Sequence, residues 1–379
     1  MEEIIKLREQ IDQIDDKIVD LYAQRMAISK QIGIEKNKTN SAVADNNREK
    51  SIINRVTSKV DDEIKVYTKQ VFNTMFDTSK AYQNSFLNID SNIKSQLVKG
   101  LEEMTKFPVS ASVACQGVAG AYSSIAAERL FEISDITYFK DFNGVFSAIE
   151  RGFCEYGILP VENTTAGTVN SVYDLMKKHE FYIVKTMCLR IQHSLLAKNG
   201  VKLEDIKEVI SHEQAITQCK GLLNKLGVKI TIVENTAVAA KIVAESNRTD
   251  IAAISSKECA DIYGLKVIQS NIQDAENNVT RFICISKNLK IFEGANKISL
   301  ILNIPHIRGS LNKILTKFST LSLNLTKLES RPLPNTDFEF AFYFDFEGDV
   351  NNILVQNLLS ELQAESDSFT FLGYYKEEK

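Results

Sequence analysis

Arg25 and Lys36 are cations in an unexpected place. Laid out at 100° per residue, both fall inside the apolar stripe made by Ile4, Leu7, Ile11, Ile14, Ile18, Leu21, Tyr22, Ile28 and Ile32, not opposite it. Eleven residues separate them, which is about three helical turns and roughly 16 Å along one face. Arg8 sits at the edge of the same stripe. An unpaired buried cation is costly, so these residues require anionic partners. Acidic side chains from a neighbouring helix are the commoner solution; a bound dianion is the other.

Further along, polar residues gather where strand-like runs end and helices begin. Gln116-Gly117-Val118-Ala119-Gly120-Ala121-Tyr122-Ser123 is a glycine turn opening a helix, a feature that usually serves only the turn but can also bind an anion. Pro160-Val161-Glu162-Asn163-Thr164-Thr165-Ala166-Gly167 ends a strand in polar residues, and Ser211-His212-Glu213-Gln214-Ala215 does the same. A lone Ser-His at such a place would ordinarily be a helix cap. Asn271-Ile272-Gln273-Asp274 leads on to Asn278-Val279-Thr280-Arg281-Phe282. Ligands of open α/β sheets sit outside the carboxyl ends of the strands, where the second and third of these groups fall. Near the C-terminus, Arg308-Gly309-Ser310-Leu311 opens a helix and Glu329-Ser330-Arg331-Pro332 closes a strand. On the residues alone these are a turn glycine and a strand-ending proline.

Three rhythms must position these groups. Residues 1–88 lack proline and read as helix throughout. The first helix passes 30 residues, or roughly 45 Å, and cannot cover its own stripe, so partner helices are expected, from a second subunit. Residues 89–107 read as a helical tail and linker, ended by Pro108. Over 108–288, β-rich runs (Ser112–Cys115, Ile136–Phe139, Tyr156–Val161, Lys207–Ser211, Lys229–Val233, Ile251–Ile254, Arg281–Ile285) alternate with amphipathic stretches such as Ser123–Phe131 and Gln214–Leu226. That alternation predicts an α/β region with mostly parallel sheets, as one sheet or two lobes. Residues 295–379 read as strand Ile298–Ile304, helix Gly309–Phe318, strand Leu323–Ser330, a further strand, helix Val350–Leu362 and strand Phe369–Tyr374. The unnamed strand is marked by strict alternation of Phe338, Phe340, Phe342, Phe344 and Phe346, which argues for one buried face. The order βαββαβ suggests a small ferredoxin-like sandwich.

A chain of 379 residues has room for two or three cores. With 44% hydrophobic residues, 25% charged and a net charge of −4, it offers no basic surface for nucleic acid. The cysteines (115, 154, 188, 219, 259, 284) are scattered singly and the four histidines lack metal spacing, so no metal is expected and the thiols read as reduced and mostly buried. Charged Glu2, Glu3 and Lys6 argue against a signal peptide. No apolar run approaches the ~20 residues of a membrane span, and a cytoplasmic protein is expected.

Leu7-Arg8-Glu9, Ala23-Gln24-Arg25, Gly33-x-x-Lys36, Asp45-x-x-Arg48-Glu49 and Ser79-x-x-x-Gln83 resemble, in order and closely in spacing, the all-helical chorismate mutase family. Chorismate is a dicarboxylate whose pericyclic rearrangement needs neither nucleophile nor cofactor; the catalyst holds the diaxial conformer and stabilises charge on the breaking ether oxygen. The resemblance implies that Arg25, Arg48 and Arg8 of the other protomer clamp carboxylates. It implies that Lys36 and Gln83 bond the ether oxygen, and that Asp45 and Ser79 hold the hydroxyl and its surroundings. Planar guanidiniums suit bidentate carboxylates and an ammonium a single oxygen.

The four motifs of the α/β region together resemble prephenate dehydratase, a two-lobed α/β domain, through Thr280-Arg281-Phe282, Glu162-Asn163 and Ser211-His212-x-Gln214. The glycine loop lacks the proline often found there, Thr164 stands where serine is common, and Glu213 replaces a frequent proline. The reaction removes a ring hydroxyl and a carboxylate together, which calls for a donor at the hydroxyl and cations or amides at the carboxylates. The expected roles are Thr280 as donor, its proton oriented through Glu162 and Asn163 or supplied by Glu162 or water, and Arg281 on a carboxylate. Thr164, Ser211, His212, Gln214 and Phe282 complete the expected substrate contacts. The alternative is a mutase fused to a non-catalytic two-lobed ligand-binding module.

Gly309, Ser310 and Leu311, with Glu329, Ser330, Arg331 and Pro332, resemble the phenylalanine-binding ACT domain attached to dehydratases, with Ser310 where alanine is usual. That resemblance implies phenylalanine as a feedback effector bound between two such domains. A homo-oligomer, dimer or tetramer, follows as an expectation.

Overall fold

The computed structural model describes residues 1–39, 45–84, 91–333 and 339–378. The chain divides into two compact units, Met1–Val98 with Leu302–Phe369, and Lys99–Ile301 with Thr370–Lys379. The final 85 residues are shared between the two units.

In the first unit, helices α1 (Glu2–Lys38), α2 (Asn46–Thr57), α3 (Asp62–Asn84) and the start of α4 (Asn92–Glu102) follow in order. Helix α1 is a single rod of 37 residues, with Glu2 and Glu3 at its positive end and Lys36 and Lys38 at its negative one. Asp45 caps α2 by accepting the Arg48 N–H at 2.9 Å. Both α1 and α2 pack on α3. The stripe of α1 nevertheless stays open: Ile4, Leu7, Ile11, Ile14, Ile18, Leu21, Ile28 and Ile32 remain 46–65% exposed. Residues 92–102, expected as part of a helical tail and linker, are helical and also anchored, with Ile93 and Leu97 buried and Ser91 bonded to Ser360 at 2.7 Å.

The second unit is built from β1 (Ser110–Gln116), α5 (Tyr122–Leu130), β2 (Ile133–Phe139), α6 (Phe142–Glu150), β3 (Tyr156–Asn163), β4 (Gly167–Thr168), α7 (Asn170–His179), β5 (Tyr182–Arg190) and β6 (Ser194–Ala197). It continues through β7 (Glu208–Ser211), α8 (Glu213–Gln218), α9 (Lys220–Leu226), β8 (Lys229–Ile232), α10 (Thr236–Glu245), β9 (Ile251–Ser255), α11 (Glu258–Tyr263), β10 (Lys266–Gln269) and β11 (Val279–Ser286). Two sheets result, one with β5-β11-β3-β1-β2 as neighbours and one ordered β10-β6-β9-β7-β8. The expectation of mostly parallel sheets does not hold. Strand β1 runs parallel to β2 and β3, but β11 is antiparallel to both β3 and β5. Likewise β7 is parallel to β8 and β9, while β6 is antiparallel to β9 and β10. The two crossings between sheets, residues 191–193 and 270–278, deliver β6 and β11 without a crossover helix, and so in the reverse sense. The expected helix Gln214–Leu226 breaks at Cys219, whose φ of −120° leaves the helical range. Val113, Ile158, Phe282 and Cys284 form the first sheet's core, and the second sheet is covered on both faces, by Leu196, Ile210 and Ala253 on one and Leu195, Val209 and Ile254 on the other.

The chain closes with β12 (Lys297–Asn303), α12 (Ser310–Thr320), β13 (Leu325–Pro332), β14 (Phe340–Glu347), α13 (Ile353–Glu365) and β15 (Ser368–Glu378), the expected βαββαβ order. Strands β13 and β14 pair antiparallel, and Phe318 stacks on Phe344 at 5.5 Å. Phe338 lies outside the described residues. Phe344 and Phe346 are buried as expected, but Ala341, Tyr343 and Asp345 on the alternate face are buried too, so β14 is covered on both sides. Cys188 is half-buried and the other cysteines are buried, none of them paired. No helix among the described residues is long and apolar enough to cross a membrane.

One buried carboxylate sets an acid limit on this fold. Glu208, only 8% exposed, accepts from Thr231 at 2.5 Å, Arg248 at 2.6 Å and Lys229 at 3.1 Å. Those bonds, Thr231 first, hold its carboxyl down to about 2. A carboxyl lowered in the fold contributes stability that is complete above its unfolded value, near ~4.3, and lost as the pH falls through the folded one. Glu208→Gln is expected to lower stability at neutral pH by about 1–2 kcal/mol, since half-exposed Arg248 and Lys229 are partly screened. Calorimetric melting curves between about pH 4.5 and 2 should then be flatter than the parent's; the same slope in both proteins would contradict the assignment.

Candidate active sites

The helical unit brings a cation and two polar side chains together between α1 and α3. Arg25 donates through Nη1 to the Met75 carbonyl at 3.2 Å and to the Ser79 hydroxyl, and its guanidinium lies 5.8 Å from the centre of the Phe76 ring. One turn on, Gln83 donates to Ser29 at 2.7 Å. Gly33 permits this approach, because a β-carbon there would stand 3.0 Å from the Gln83 side chain. Ser79 and Gln83 are buried, while Lys36, three residues beyond Gly33, is half-buried. Arg8, Asp45 and Arg48 are exposed. Arg8 is 17 residues from Arg25 on the same rod, about 25 Å away.

In the second unit a cavity of about 430 Å³ opens where β1, β3 and β7 end, within the usual size of small-molecule sites. Asn163, Thr280 and Phe282 line it from the first sheet, and His212 and Gln214 from the second. Asn163 is the hub. Its Oδ1 accepts the backbone N–H groups of Thr165 at 3.0 Å and Ala166 at 2.9 Å, which fixes its orientation. Its Nδ2 therefore points the other way and donates to Asn278 Oδ1 and Thr280 Oγ1, both at 2.8 Å. The Thr280 hydroxyl is thus an acceptor toward the protein, and its own proton is left for a ligand. Thr165 donates to Asn163 and accepts from Gln218 Nε2 at 2.8 Å; Gln218 Oε1 in turn faces Asn278 and His193 Nε2, both at 2.9 Å.

Among the described residues lining this cavity there is no lysine or arginine, and Glu234 is the one carboxylate. Positive potential comes instead from helix ends. Helix α5 begins at the cavity through Ala121, Tyr122 and Ser123 without a side-chain cap, and α10 begins there at Asn235 and Thr236. Gly117, at φ +104°, allows the glycine loop to pass Asn235; a β-carbon would fall 2.3 Å from its amide nitrogen.

Four residues expected at this site do other work. Arg281 and Glu162 neighbour Thr280 and Asn163 on β11 and β3, so their side chains leave the sheet on its opposite face, where they pair at 3.2 Å. Neither lines the cavity. The Thr164 hydroxyl donates to the Asn277 carbonyl at 2.7 Å and accepts the Val279 N–H at 3.0 Å, stapling the two loops. Ser211 is buried and donates to the Ile254 carbonyl, holding β7 to β9. Conversely, Gln218 and His193 were not expected. Gln218 lies four residues after Gln214, one turn along the same face, and that spacing could have revealed it; a lone histidine between two strands gives no such signal.

In the C-terminal region Gly309 takes a left-handed φ of +85° just before α12, and Glu329, Ser330, Arg331 and Pro332 lie on β13. Arg331 sits 5.6 Å from the Tyr343 ring centre, and Glu329 pairs with Lys327 at 3.1 Å.

Comparison with known proteins places these geometries in context. The family model described as prephenate dehydratase matches residues 113–290, and that described as chorismate mutase type II matches residues 7–84. Arogenate dehydratase/prephenate dehydratase 2 of Arabidopsis thaliana is 38% identical over 275 residues, covering 69% of this chain and 72% of the relative. The bifunctional chorismate mutase/prephenate dehydratase of Buchnera aphidicola is 29% identical over 388 residues, 99% of this chain and 97% of its own. Among solved structures, the prephenate dehydratase of Arthrobacter aurescens in complex with L-Phe is 26% identical with a TM-score of 0.63, covering 70% of this chain and 89% of that one.

The hydrogen-bond chain from Asn163 dictates a protonation state. Gln218 must present oxygen to His193, so His193 carries its proton on Nε2, and Nδ1 is buried with no hydrogen-bond partner among the described residues. Burial lowers the His193 pKa below its usual 6.5, with the Gln218 bond opposing. Nitrogen-detected NMR at pH 7 should find neutral imidazole protonated at Nε2, with a titration midpoint below 6.5; an Nδ1–H tautomer or a raised midpoint would break the chain of assignments.

Proposed function

The chain belongs to the prephenate dehydratase family and carries a chorismate mutase segment ahead of it, and from that premise we propose how its residues divide the chemistry. It isomerises chorismate to prephenate and converts prephenate to phenylpyruvate, successive steps of phenylalanine biosynthesis.

In the helical site, Arg25 and Arg48 hold substrate carboxylates, Lys36 and Gln83 bond the ether oxygen, and Asp45 and Ser79 hold the hydroxyl region. Arg8, about 25 Å from Arg25 along one rod, completes the site of a second copy. The exposed stripe of α1 supports the same dimer, since among the described residues its isoleucines stay uncovered within one chain. In the cleft, Thr280 donates its hydroxyl proton in a hydrogen bond to the departing ring hydroxyl, while α5 and α10 face the carboxylates with their positive ends. The ring carboxylate leaves as carbon dioxide and its bonding pair enters the ring, while the C–O bond breaks with its pair on the hydroxyl oxygen, which takes a proton from solvent water at the cleft mouth and departs as water. The carrying observation is the Asn163 amide, which turns the Thr280 oxygen into an acceptor and its proton outward. Glu162 and Arg281 take no part in substrate contact.

Phenylalanine acts as effector at Gly309–Leu311 and Glu329–Pro332, a reading supported by the related dehydratase solved with L-Phe. It inhibits by binding one state of the enzyme more tightly than the other. The enzyme works as a cytoplasmic homodimer or tetramer with helical mutase (1–88), dehydratase (108–288) and ACT (295–379) regions.

Glu234 favours a second substrate. In a cleft with no lysine or arginine among its described lining residues it complements an α-ammonium group, which arogenate carries where prephenate has a ketone; relatives named arogenate dehydratases include the Arabidopsis protein. Glu234→Gln should lower kcat/KM for arogenate relative to prephenate about threefold, the scale of one exposed charge contact. An unchanged ratio removes the second substrate.

Two variants separate the sites. Lys36→Ala should cut chorismate turnover by about 100-fold or more, as loss of a transition-state donor does, while prephenate turnover stays at the parent's rate. Thr280→Ser should retain near-normal prephenate turnover and Thr280→Ala lose about 100-fold. Equal rates in the serine and alanine variants would end the hydroxyl's role.

A further inference from the structure

The face of the first sheet turned away from the cavity carries a row of alternating charges. Glu162 on β3, Arg281 on β11, Glu377 on β15 and Lys297 on β12 occupy strands arranged β3-β11-β5-β15-β12. Arg281 Nη2 lies 3.2 Å from Glu162 and its Nη1 3.9 Å from Glu377, whose other carboxylate oxygen is 2.9 Å from Lys297 Nζ. Strand β5 stands between β11 and β15, and in register with Arg281 and Glu377 it presents only Cys188 and Thr186, side chains short enough for the two charges to meet across them. Arg281 is 12% exposed, Lys297 8% and Glu377 20%, so attraction among these three is little screened, whereas Glu162, 41% exposed, is partly screened.

The row stands directly behind the reacting pair. Arg281 follows Thr280, Glu162 precedes Asn163, and the register places Thr280 opposite Asn163 and Arg281 opposite Glu162. A shift in the ion pair therefore moves the two backbones whose front faces hold the Asn163–Thr280 hydrogen bond. We propose that Arg281 and Glu377 are positioning residues of the dehydratase reaction: Glu377, on the last strand of the chain, holds Arg281 against Glu162 so that Thr280 stays within reach of the Asn163 amide. The proposal rests on Thr280 and Asn163 being the reacting site. Dehydratase turnover then depends on a residue far along the chain that touches no substrate, and Arg281 matters for rate, not for substrate affinity.

The test uses the full chain with Glu377→Gln, Glu377→Asp, Arg281→Gln and the Glu377→Gln/Arg281→Gln double variant, assayed on prephenate, with chorismate turnover and thermal melting as controls of folding. Glu377→Gln and Arg281→Gln should each lower kcat for prephenate about tenfold with KM within about twofold, and the double variant should be no slower than the slower single, as for residues acting through one contact. Glu377→Asp should recover part of the rate, which a loss of strand stability alone would not give at a temperature where all variants are folded. A tenfold or greater rise in KM for Arg281→Gln would make Arg281 a substrate ligand and overturn the proposal, as would parent-like kcat in Glu377→Gln. Should Thr280→Ala also turn over prephenate at the parent's rate, the reading of the site itself fails; loss in Thr280→Ala with none in Glu377→Gln fails the positioning role alone.

Discussion

The 2.8 Å hydrogen bond from the Asn163 amide to the Thr280 hydroxyl is the contact on which the proposed dehydratase site depends. An amide can be turned either way, and this one is held by two backbone N–H groups that only its oxygen can satisfy. Everything downstream inherits that orientation: the direction of the Thr280 proton, the acceptor role of Thr165, the amide of Gln218 and the tautomer of His193. The bond exists because β11 returns antiparallel to β3 and puts residues 280 and 163 opposite each other. The second sheet sits in the chain between those two strands, so the site forms only once the whole domain has folded. Long-range closure of this kind is slow to form but leaves few alternatives once formed.

Two sites in one chain handle the same kind of dianion by different means. The proposed helical site presents cations directly, which suits a reaction that needs a flexible substrate clamped in one conformer. Among the described residues the cleft lines its cavity with neutral amides, hydroxyls and helix ends, and with Glu234 as its one carboxylate. Fixed dipoles of this sort stabilise departing charge without a mobile countercharge to rearrange. A cation placed in the cleft would also hold back the carboxylate that must leave as neutral carbon dioxide.

Much of this was legible in residues and spacing. The long helices, the β-rich rhythm and the final βαββαβ order follow from periodicity, which reports burial. Direction of a strand within a sheet does not show in its periodicity, so the antiparallel returns of β6 and β11 were not foreseen. Strand β5 is hard to read from the sequence because Lys185 and Thr186 interrupt its apolar run, and the ion-pair partner of Lys185, Glu378, lies near the far end of the chain. The triplet Thr280-Arg281-Phe282 held a usable constraint: adjacent strand residues face opposite ways, so the three cannot all line one cavity. Glu162 and Asn163 obey the same rule. A resemblance marks which residues matter, and strand geometry decides which face each one serves.

The most direct test of the account replaces the amide by a carboxylate of the same shape. In Asn163→Asp the side chain keeps its shape and its acceptor oxygen but loses the N–H groups that reach Thr280 and Asn278. Steady-state kinetics on prephenate should show kcat reduced about 100-fold with KM little changed and chorismate turnover intact. Parent-like kcat in that variant would mean that the Asn163–Thr280 bond does not direct the reaction, and the account of the cleft would be wrong at its centre.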